Sequence, residues 1–195
     1  SASPLFPLLV ALSVKLSIQY GNTSFSAFAY ATYGIFTCNM VQDIDTGVKF
    51  GELATLIIAK LNDKATKPNI LITTRIFILH RKSHLNKTLE ILQEGYDSAL
   101  EIGNLEYVGY SAYIFCSHSY WCAQPLVSLE QETQMFCNSL EQLNQLTTAN
   151  YCRIYWQSIL NLLGSNNPIS FSGKAVKESE LLPLLLKAND LLGLF

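Results

Sequence analysis

The sequence predicts an all-α fold, a right-handed α-α superhelix of stacked helical hairpins with long repeats. Three observations predict it. Residues 20–33 align with residues 102–115 at an offset of 82 positions, which indicates an internal repeat. Apolar residues recur three and four positions apart along most of the chain. Sustained period-two alternation and hairpin dipeptides, which are typical of strands, are nearly absent.

Turn signals fall near positions 21, 63, 103 and 147, so the repeat unit spans roughly 40–44 residues, the range of helix-pair repeats. Gly21 and Gly103 stand just past helix ends, where a left-handed residue closes the last turn. An asparagine follows each glycine and is suited to cap the next helix. Each Gly-Asn pair is therefore predicted to form the corner of an αα-hairpin.

The first five helices are predicted in order from these signals. The apolar run from Leu5 ends at Gly21, and an aromatic ladder follows Asn22. A wide apolar stripe begins at Phe50, and Pro68 suits the first turn of a helix. A regular stripe then starts at Leu85. The predicted spans are 5–20, 23–41, 46–62, 68–82 and 85–102.

The last four helices follow the same logic. Asn104 is positioned to cap one, and Ser128 with Gln131 resembles a capping box for the next. The stretch from Gly164 to Gly173 is the one real loop, and Pro183 is expected to kink the last helix or define its first turn. The predicted spans are 104–122, 127–146, 148–163 and 175–192.

Composition bounds the function. The 195 residues carry a net charge of −2, which gives no electrostatic case for nucleic acid. The longest apolar stretch, Leu5 to Val14, is about half of the ~20 residues that a membrane span requires. No signal peptide is recognisable, so a cytoplasmic location without membrane insertion is predicted. The five cysteines are expected to be reduced and buried.

The domain prediction separates a helical-repeat domain, residues 1–164, from residues 165–195. The second segment is read as a loop and terminal helix that continues the solenoid or starts the next unit. The chain ends in Leu-Leu-Gly-Leu-Phe, without the polar outer face that solenoid ends normally carry. We therefore expect this chain to be a piece of a longer protein.

Several stretches together resemble a known family. They are the Gly-Asn corners with their aromatic ladder, residues 42–54, residues 110–119 and residues 155–164. The chain resembles, over roughly residues 5–192, the tetratricopeptide-like helical region of large cyanobacterial multi-sensor signalling kinases. The repeat here is longer than an ordinary tetratricopeptide unit, so longer helices and a less regular superhelix are expected.

The resemblance implies a segment inside a signalling protein. In that family a Ser/Thr-kinase-like domain is followed by a nucleotide-binding ATPase module, this helical region, a GAF domain and a histidine kinase. No residue with a catalytic role in the family lies in this region, so no catalytic residue is transferred to the present chain.

Catalytic motifs are missing from the sequence. Gly173-Lys174 is the nearest approach to a P-loop, but Pro168 replaces the required glycine and Ala175 replaces the magnesium-binding hydroxyl. Neither a kinase glycine loop nor a His-Arg-Asp segment is present. No catalytic residue, no cofactor and no enzyme activity are predicted for this chain.

The histidines, cysteines and aspartates do not match the spacing of a metal site or of a nucleophilic dyad. His80 with His84, and His118 with Cys122, are each four residues apart, but the pairs lie on different predicted helices and lack a known zinc spacing. Cys116 and His118, two apart on a helix, point away from each other and cannot form a dyad. Asp43 and Asp45 begin like a calcium loop, but the closing glutamate position is alanine. No metal site is predicted.

Basic and aromatic side chains form the candidate surface for a partner or ligand. A basic run around residues 75–87 either binds an acidic partner or is a solvated face near a helix end. The aromatic ladder is either hairpin core or the lining of a concave face. The candidate partner or ligand surface comprises Tyr30, Tyr113, His118, Arg75, Arg81 and Lys82.

Two functions are therefore expected from the sequence. The first is a non-catalytic protein-interaction or coupling module that links an ATPase module to a downstream sensor and histidine kinase. Its partners would be neighbouring domains of the parent chain or another signalling protein. The alternative is a small-molecule sensor with a closed, aromatic-lined pocket containing Tyr and Cys side chains.

Overall fold

A computed structural model describes residues 5–164 and 170–194, and the predicted all-α class is confirmed: within these residues ten α-helices form and no strand does. One isolated bridge pairs Ser172 with Lys177. The helices are α1 Phe6–Tyr20, α2 Ser24–Phe36, α3 Ile44–Leu61, α4 Lys67–Phe77, α5 Leu89–Glu101, α6 Leu105–Trp121, α7 Leu126–Gln142, α8 Leu146–Leu162, α9 Glu178–Ala188 and α10 Leu191–Leu194.

The packing divides the chain into two compact units. The first runs from residue 1 to residue 107, and the second runs from residue 108 to the end of the chain. The division falls within α6, whose residues from Val108 onward belong to the second unit. Residues 170–194 also belong to the second unit, while the boundary that the sequence suggests after residue 164 stays a prediction.

Left-handed backbone residues end helices at a regular interval. Gly21, Asn62, Gly103 and Asn144 all have positive φ, and the sequence intervals between them are equal. Gln42, Ala123 and Gly164 end further helices in the same way. The predicted hairpin period is therefore seen in the backbone, although the fourth break lies at 144 and not at 147.

Both Gly-Asn pairs end the preceding helix, but only the second asparagine caps the helix that follows. At Gly103 the amide donates to the Leu100 carbonyl and the Asn104 amide donates to that of Ala99, which closes α5 in a Schellman motif. Asn104 then accepts a bond from the Tyr107 amide, as predicted. Asn22 does not cap α2: the Thr23 amide donates to the Ser26 hydroxyl at 2.9 Å, so the cap lies one residue later.

Four predicted helices are broken or shifted. The predicted span 23–41 passes into a π-helical turn at Thr37–Val41, and the span 68–82 changes to a 3-10 turn at Leu79–Lys82. Residues 85–88 are also 3-10. Asn189, with φ of 50°, separates α9 from α10. A left-handed residue cannot continue a right-handed helix, which is why the predicted span 175–192 divides there.

The proposed capping box at Ser128 is wrong. Helix α7 begins at Leu126, and the Ser128 hydroxyl donates to the carbonyl of Pro125 at 3.0 Å. Ser128 is therefore the third residue of the helix and not its cap. Pro68 does lie in the first turn of α4, as predicted, whereas Pro183 lies inside α9.

Packing in the first unit centres on α2 and α3. Phe50 of α3 stacks on Tyr30 and meets Tyr33 edge-on, with ring centroids 6.0 and 4.7 Å apart. Gly34 and Gly47 allow the two backbones to approach: a Cβ placed on Gly47 would lie 2.8 Å from the Gly34 carbonyl oxygen and closer still to the Cys38 sulfur. The two small residues therefore set the distance between these helices.

The second unit is built mainly on α7 and α8. Its core contains fully buried side chains from α6, α7 and α8, among them Cys116, Leu140 and Ile159. Residues 108–112 repeat the burial pattern of residues 26–30, with an exposed aromatic residue between two buried pairs in each case. The internal repeat seen in the sequence therefore has the same local role in α2 and α6.

Within the residues that the structure describes, no helix combines the length and the apolar character needed to cross a bilayer.

We predict that Gly47→Ala destabilises the chain by about 2 kcal/mol, because the added methyl group overpacks the contact between α2 and α3. Urea unfolding followed by circular dichroism measures the change. Glu52→Ala, at an exposed position of the same helix, is the control and should change the free energy of unfolding by less than about 0.5 kcal/mol. Equal stability of Gly47→Ala and the unsubstituted chain would show that the close approach is not required.

Candidate functional site

Tyr30 lies in the core and not on a surface. Its side chain is 3% exposed, its ring stacks on Phe50, and its hydroxyl donates to the Asn22 side chain at 3.1 Å. The expectation that Tyr30 lines a concave face is therefore wrong. Its ring fills the space between α2 and α3.

The basic residues are held largely by their own unit. Lys82 forms an ion pair with Asp45, and Arg81 donates to the Asn39 side chain and to the Phe77 carbonyl. Arg75 and Lys82 line the same groove of about 490 Å³ beside Glu52, whereas Arg81 does not line it. Within the basic run, Lys82 is thus paired with an acidic group and Arg81 with polar groups of the first unit.

Tyr113 lines an aromatic pocket. This pocket belongs to the second unit, has a volume of about 590 Å³ and is lined by α6, α8, α9, α10 and residues just before α9. Side chains from α6 and α8 form its aromatic wall, because Tyr113 and Tyr120 are seven residues apart and Tyr151 and Tyr155 are four apart. Both spacings place the two tyrosines on one face of a helix.

The aromatic rings form a continuous cluster. Tyr113 lies 5.1 Å from Tyr151 and 6.1 Å from Tyr155, measured between ring centroids. Tyr120 lies 5.7 Å from Tyr155 and 5.4 Å from Trp121. The cluster extends from Tyr151, which is 7% exposed, to Trp121, which is 68% exposed. The cluster therefore extends from the buried base of the pocket to its solvent-exposed opening.

Hydrogen bonds hold the pocket together at two points. The Tyr151 hydroxyl donates to the carboxylate of Asp190, with distances of 2.8 and 2.7 Å to its two oxygens. This bond ties α8 to the turn between α9 and α10. On the other side, the Ser117 hydroxyl donates to the Tyr155 hydroxyl at 3.0 Å.

The buried position of the tyrosines favours their neutral form. Burial raises the pKa of Tyr113 to about 12, with smaller contributions from Tyr155 and Cys152. Burial also raises the pKa of Tyr151, and its bond to the Asp190 carboxylate adds to the effect. At neutral pH both hydroxyls are therefore protonated, and Tyr151 uses its proton in the bond to Asp190.

The charge around the pocket is negative. Glu178, in the first turn of α9, lines it, and Asp190 lies behind Tyr151. Among the described residues, no lysine, arginine or histidine lines the pocket. The remaining wall is apolar and is supplied mainly by leucines of α9 and α10.

Of the residues that line this pocket, only Tyr113 was predicted from the sequence. The prediction did not include Tyr120, Trp121, Tyr151, Tyr155 and Glu178. The shared-face spacing of the tyrosines is a signal that could have found them, whereas Glu178 and the leucines come close only through tertiary packing. His118 is partly buried on α6 and does not line the pocket.

The cysteines occupy the core and not the pocket. Cys116, Cys137 and Cys152 are fully buried between α6, α7 and α8, and burial raises the pKa of Cys137 to about 12. Cys38 is also buried, whereas Cys122 is partly exposed. This pocket differs in two respects from the closed cavity lined by Tyr and Cys that the sensor hypothesis expects. The pocket is open at Trp121, and tyrosines without cysteines line its described part.

The described residues contain no cluster of metal-ligating side chains. In residues 5–164 and 170–194, no three His, Cys, Asp or Glu side chains are grouped closely enough to hold a metal ion. Pro168, which breaks the P-loop pattern in the sequence, lies outside the described residues.

A second feature is the outer face of α1. Helix α1 packs on α2 through Val10 and Val14, which are 6% exposed. Its opposite side presents a continuous row of leucines that are 44 to 66% exposed: Leu5, Leu8, Leu9, Leu12 and Leu16. This set is named here the α1 leucine face.

Comparison with known proteins gives one finding on function. The chain is 23% identical over 137 residues to the hybrid signal transduction histidine kinase G of Dictyostelium discoideum. The match covers 69% of this chain but 4% of that protein, so the chain corresponds to a small part of the relative. No family model matches the chain.

We predict that stability falls between pH 10 and pH 12. Unfolded Tyr113 releases its proton near pH 10, whereas folded Tyr113 holds it to about pH 12. Ionisation therefore favours the unfolded state in this window, by at most about 1.4 kcal/mol per pH unit for one group. Urea unfolding at pH 9, 10 and 11 should show a smaller decline for Tyr113→Phe. Parallel curves for the two proteins would contradict the shift.

Proposed function

We propose that this chain is a non-catalytic, cytoplasmic interaction or coupling module of a larger signalling kinase. Two findings support the proposal. The chain is similar to part of a hybrid signal transduction histidine kinase, and its described residues form helical hairpins, a fold that usually presents surfaces to partners. In the finer form of the proposal, the module links a nucleotide-binding ATPase module to a downstream sensor and histidine kinase.

The α1 leucine face is the observation that carries the proposal. Because the hairpins recur at the interval that separates Gly21 from Asn62, Leu9 corresponds to Phe50 of α3, and Leu16 corresponds to Ile57. In α3 these positions contact the preceding helix: Phe50 stacks on Tyr30, and Ile57 shares a buried cluster with it. In α1 the same positions have no helix against them among the described residues.

The side chains of the α1 leucine face indicate which kind of partner would cover it. Lys15 is the one charged residue of α1, so a partner that covers the leucines needs an apolar stripe and no specific charge. An amphipathic helix from a neighbouring module of the signalling protein satisfies this condition, in the position that α2 takes on α3. Burial of each half-exposed leucine would contribute about 1 kcal/mol.

A helical contact of this kind suits signal coupling. If the neighbouring module has two arrangements, and only one packs its helix against the α1 leucine face, the contact biases which arrangement is populated. The module then transmits a change of state by differential packing, without a reaction of its own.

The test uses the product of the intact gene, with autophosphorylation from labelled ATP as the readout. We expect the pair Leu9→Glu and Leu16→Glu to change autophosphorylation by roughly fivefold or more, which is the low end of typical coupling energies. Leu56→Glu is the matched control, because Leu56 is 67% exposed on α3 but lies outside the face. Circular dichroism should show the same helical content in all variants.

Other outcomes would overturn the proposal. A gene product without kinase activity would remove the signalling role, and equal activity of all variants would remove the coupling role of α1. ATP hydrolysis by residues 1–195 alone would contradict the non-catalytic assignment.

A second candidate function is small-molecule sensing. The open aromatic pocket of the second unit supports it, because a concave and mostly apolar site with a few polar groups is the usual form of a ligand site. Ligand binding there would stabilise the second unit by mass action.

A further inference from the structure

We infer that the aromatic pocket of the second unit binds an organic cation, of the class of quaternary ammonium compounds that carry an apolar substituent. The inference rests on the sensor function proposed above as the second candidate. It goes further by naming the chemical class that the pocket selects.

The ring cluster is the first argument. The faces of aromatic rings carry negative potential, and several rings around one space attract an ammonium group that is larger and less hydrated than a simple ion. Four tyrosines and Trp121 line this one pocket, and neighbouring rings are 5.1 to 6.1 Å apart. Trp121 stands exposed at the mouth, where an incoming cation would meet it first.

The charge distribution is the second argument. Glu178 lines the pocket, and Asp190 adds a second carboxylate behind Tyr151. Among the described residues no cationic side chain lines the wall, so the pocket offers an anion such as a nucleotide or phosphate no charged partner. A cation would gain from both carboxylates in a partly desolvated space.

Volume and lining give the third argument. About 590 Å³ exceeds what a trimethylammonium group alone would fill. The rest of the wall contains Leu181, Leu185 and Leu192, which offer contacts to an alkyl or aryl group. A ligand with a cationic head near the rings and an apolar tail against α9 and α10 satisfies both parts.

The experiment measures binding to the full 195-residue chain by calorimetry and by tryptophan fluorescence. The probes are benzyltrimethylammonium, choline and 3,3-dimethylbutan-1-ol, in which a neutral carbon replaces the choline nitrogen. We expect saturable binding of both cations, with benzyltrimethylammonium the tighter. The neutral alcohol should bind about tenfold more weakly than choline, the ratio for about 1.4 kcal/mol of cation–π attraction.

Variants locate the site. Trp121→Leu and Glu178→Gln should each weaken binding of benzyltrimethylammonium by roughly threefold to tenfold. Both positions are exposed, so the fold is expected to survive the substitutions. Glu132→Gln, at an exposed position on α7 outside the pocket, is the charge-matched control and should leave the affinity unchanged.

The outcomes separate the two ideas. If choline and its neutral isostere bind equally, the cation selectivity is overturned while the sensor function stands. If no probe binds, and a screen of neutral and anionic metabolites raises no melting temperature, the sensor function fails as well. If the cations bind but neither Trp121→Leu nor Glu178→Gln weakens them, the site is not this pocket.

Discussion

The structure depends on one backbone constraint, the left-handed residue that ends most of its helices. Gly21, Asn62, Gly103 and Asn144 are evenly spaced along the chain, and each ends one helix and lets the backbone change direction before the next helix begins. Within the first unit, side-chain packing then fills the space between consecutive helices. The aromatic rings between α2 and α3 are placed by this spacing, and so is the α1 leucine face.

Much of the fold was readable because its signals are local. Glycine before asparagine marks a left-handed stop, and leucines three and four apart mark a buried helical face. The misreadings also have physical causes. Asn22 and Thr23 are both residue types that cap helices. Thr23 is the cap of α2 because its amide donates a hydrogen bond to the Ser26 hydroxyl. Asn189 resembles any polar surface residue, yet its positive φ divides the last predicted helix.

The candidate site was less predictable because it is made by tertiary contacts. Tyr30 and Tyr113 look alike in the sequence, but α3 covers one, whereas the other opens into a pocket with Tyr151 and Tyr155. No local pattern distinguishes these outcomes, since the neighbouring helix decides them. Glu178 became part of the site only because residues 170–177 bring α9 against α8, with Gln157 accepting bonds from the Ala175 and Val176 amides.

The hydrogen bond from Tyr151 to Asp190 makes the pocket conditional. One wall consists of α9 and α10, so the cavity exists only in molecules in which this C-terminal pair is docked on α8. The measured affinity of any ligand therefore depends on the docking equilibrium as well as on the ligand's own contacts. The apparent association constant is the intrinsic constant multiplied by the docked fraction. A bound ligand would in turn favour the docked arrangement of α9 and α10, so ligand binding and helix docking are thermodynamically coupled.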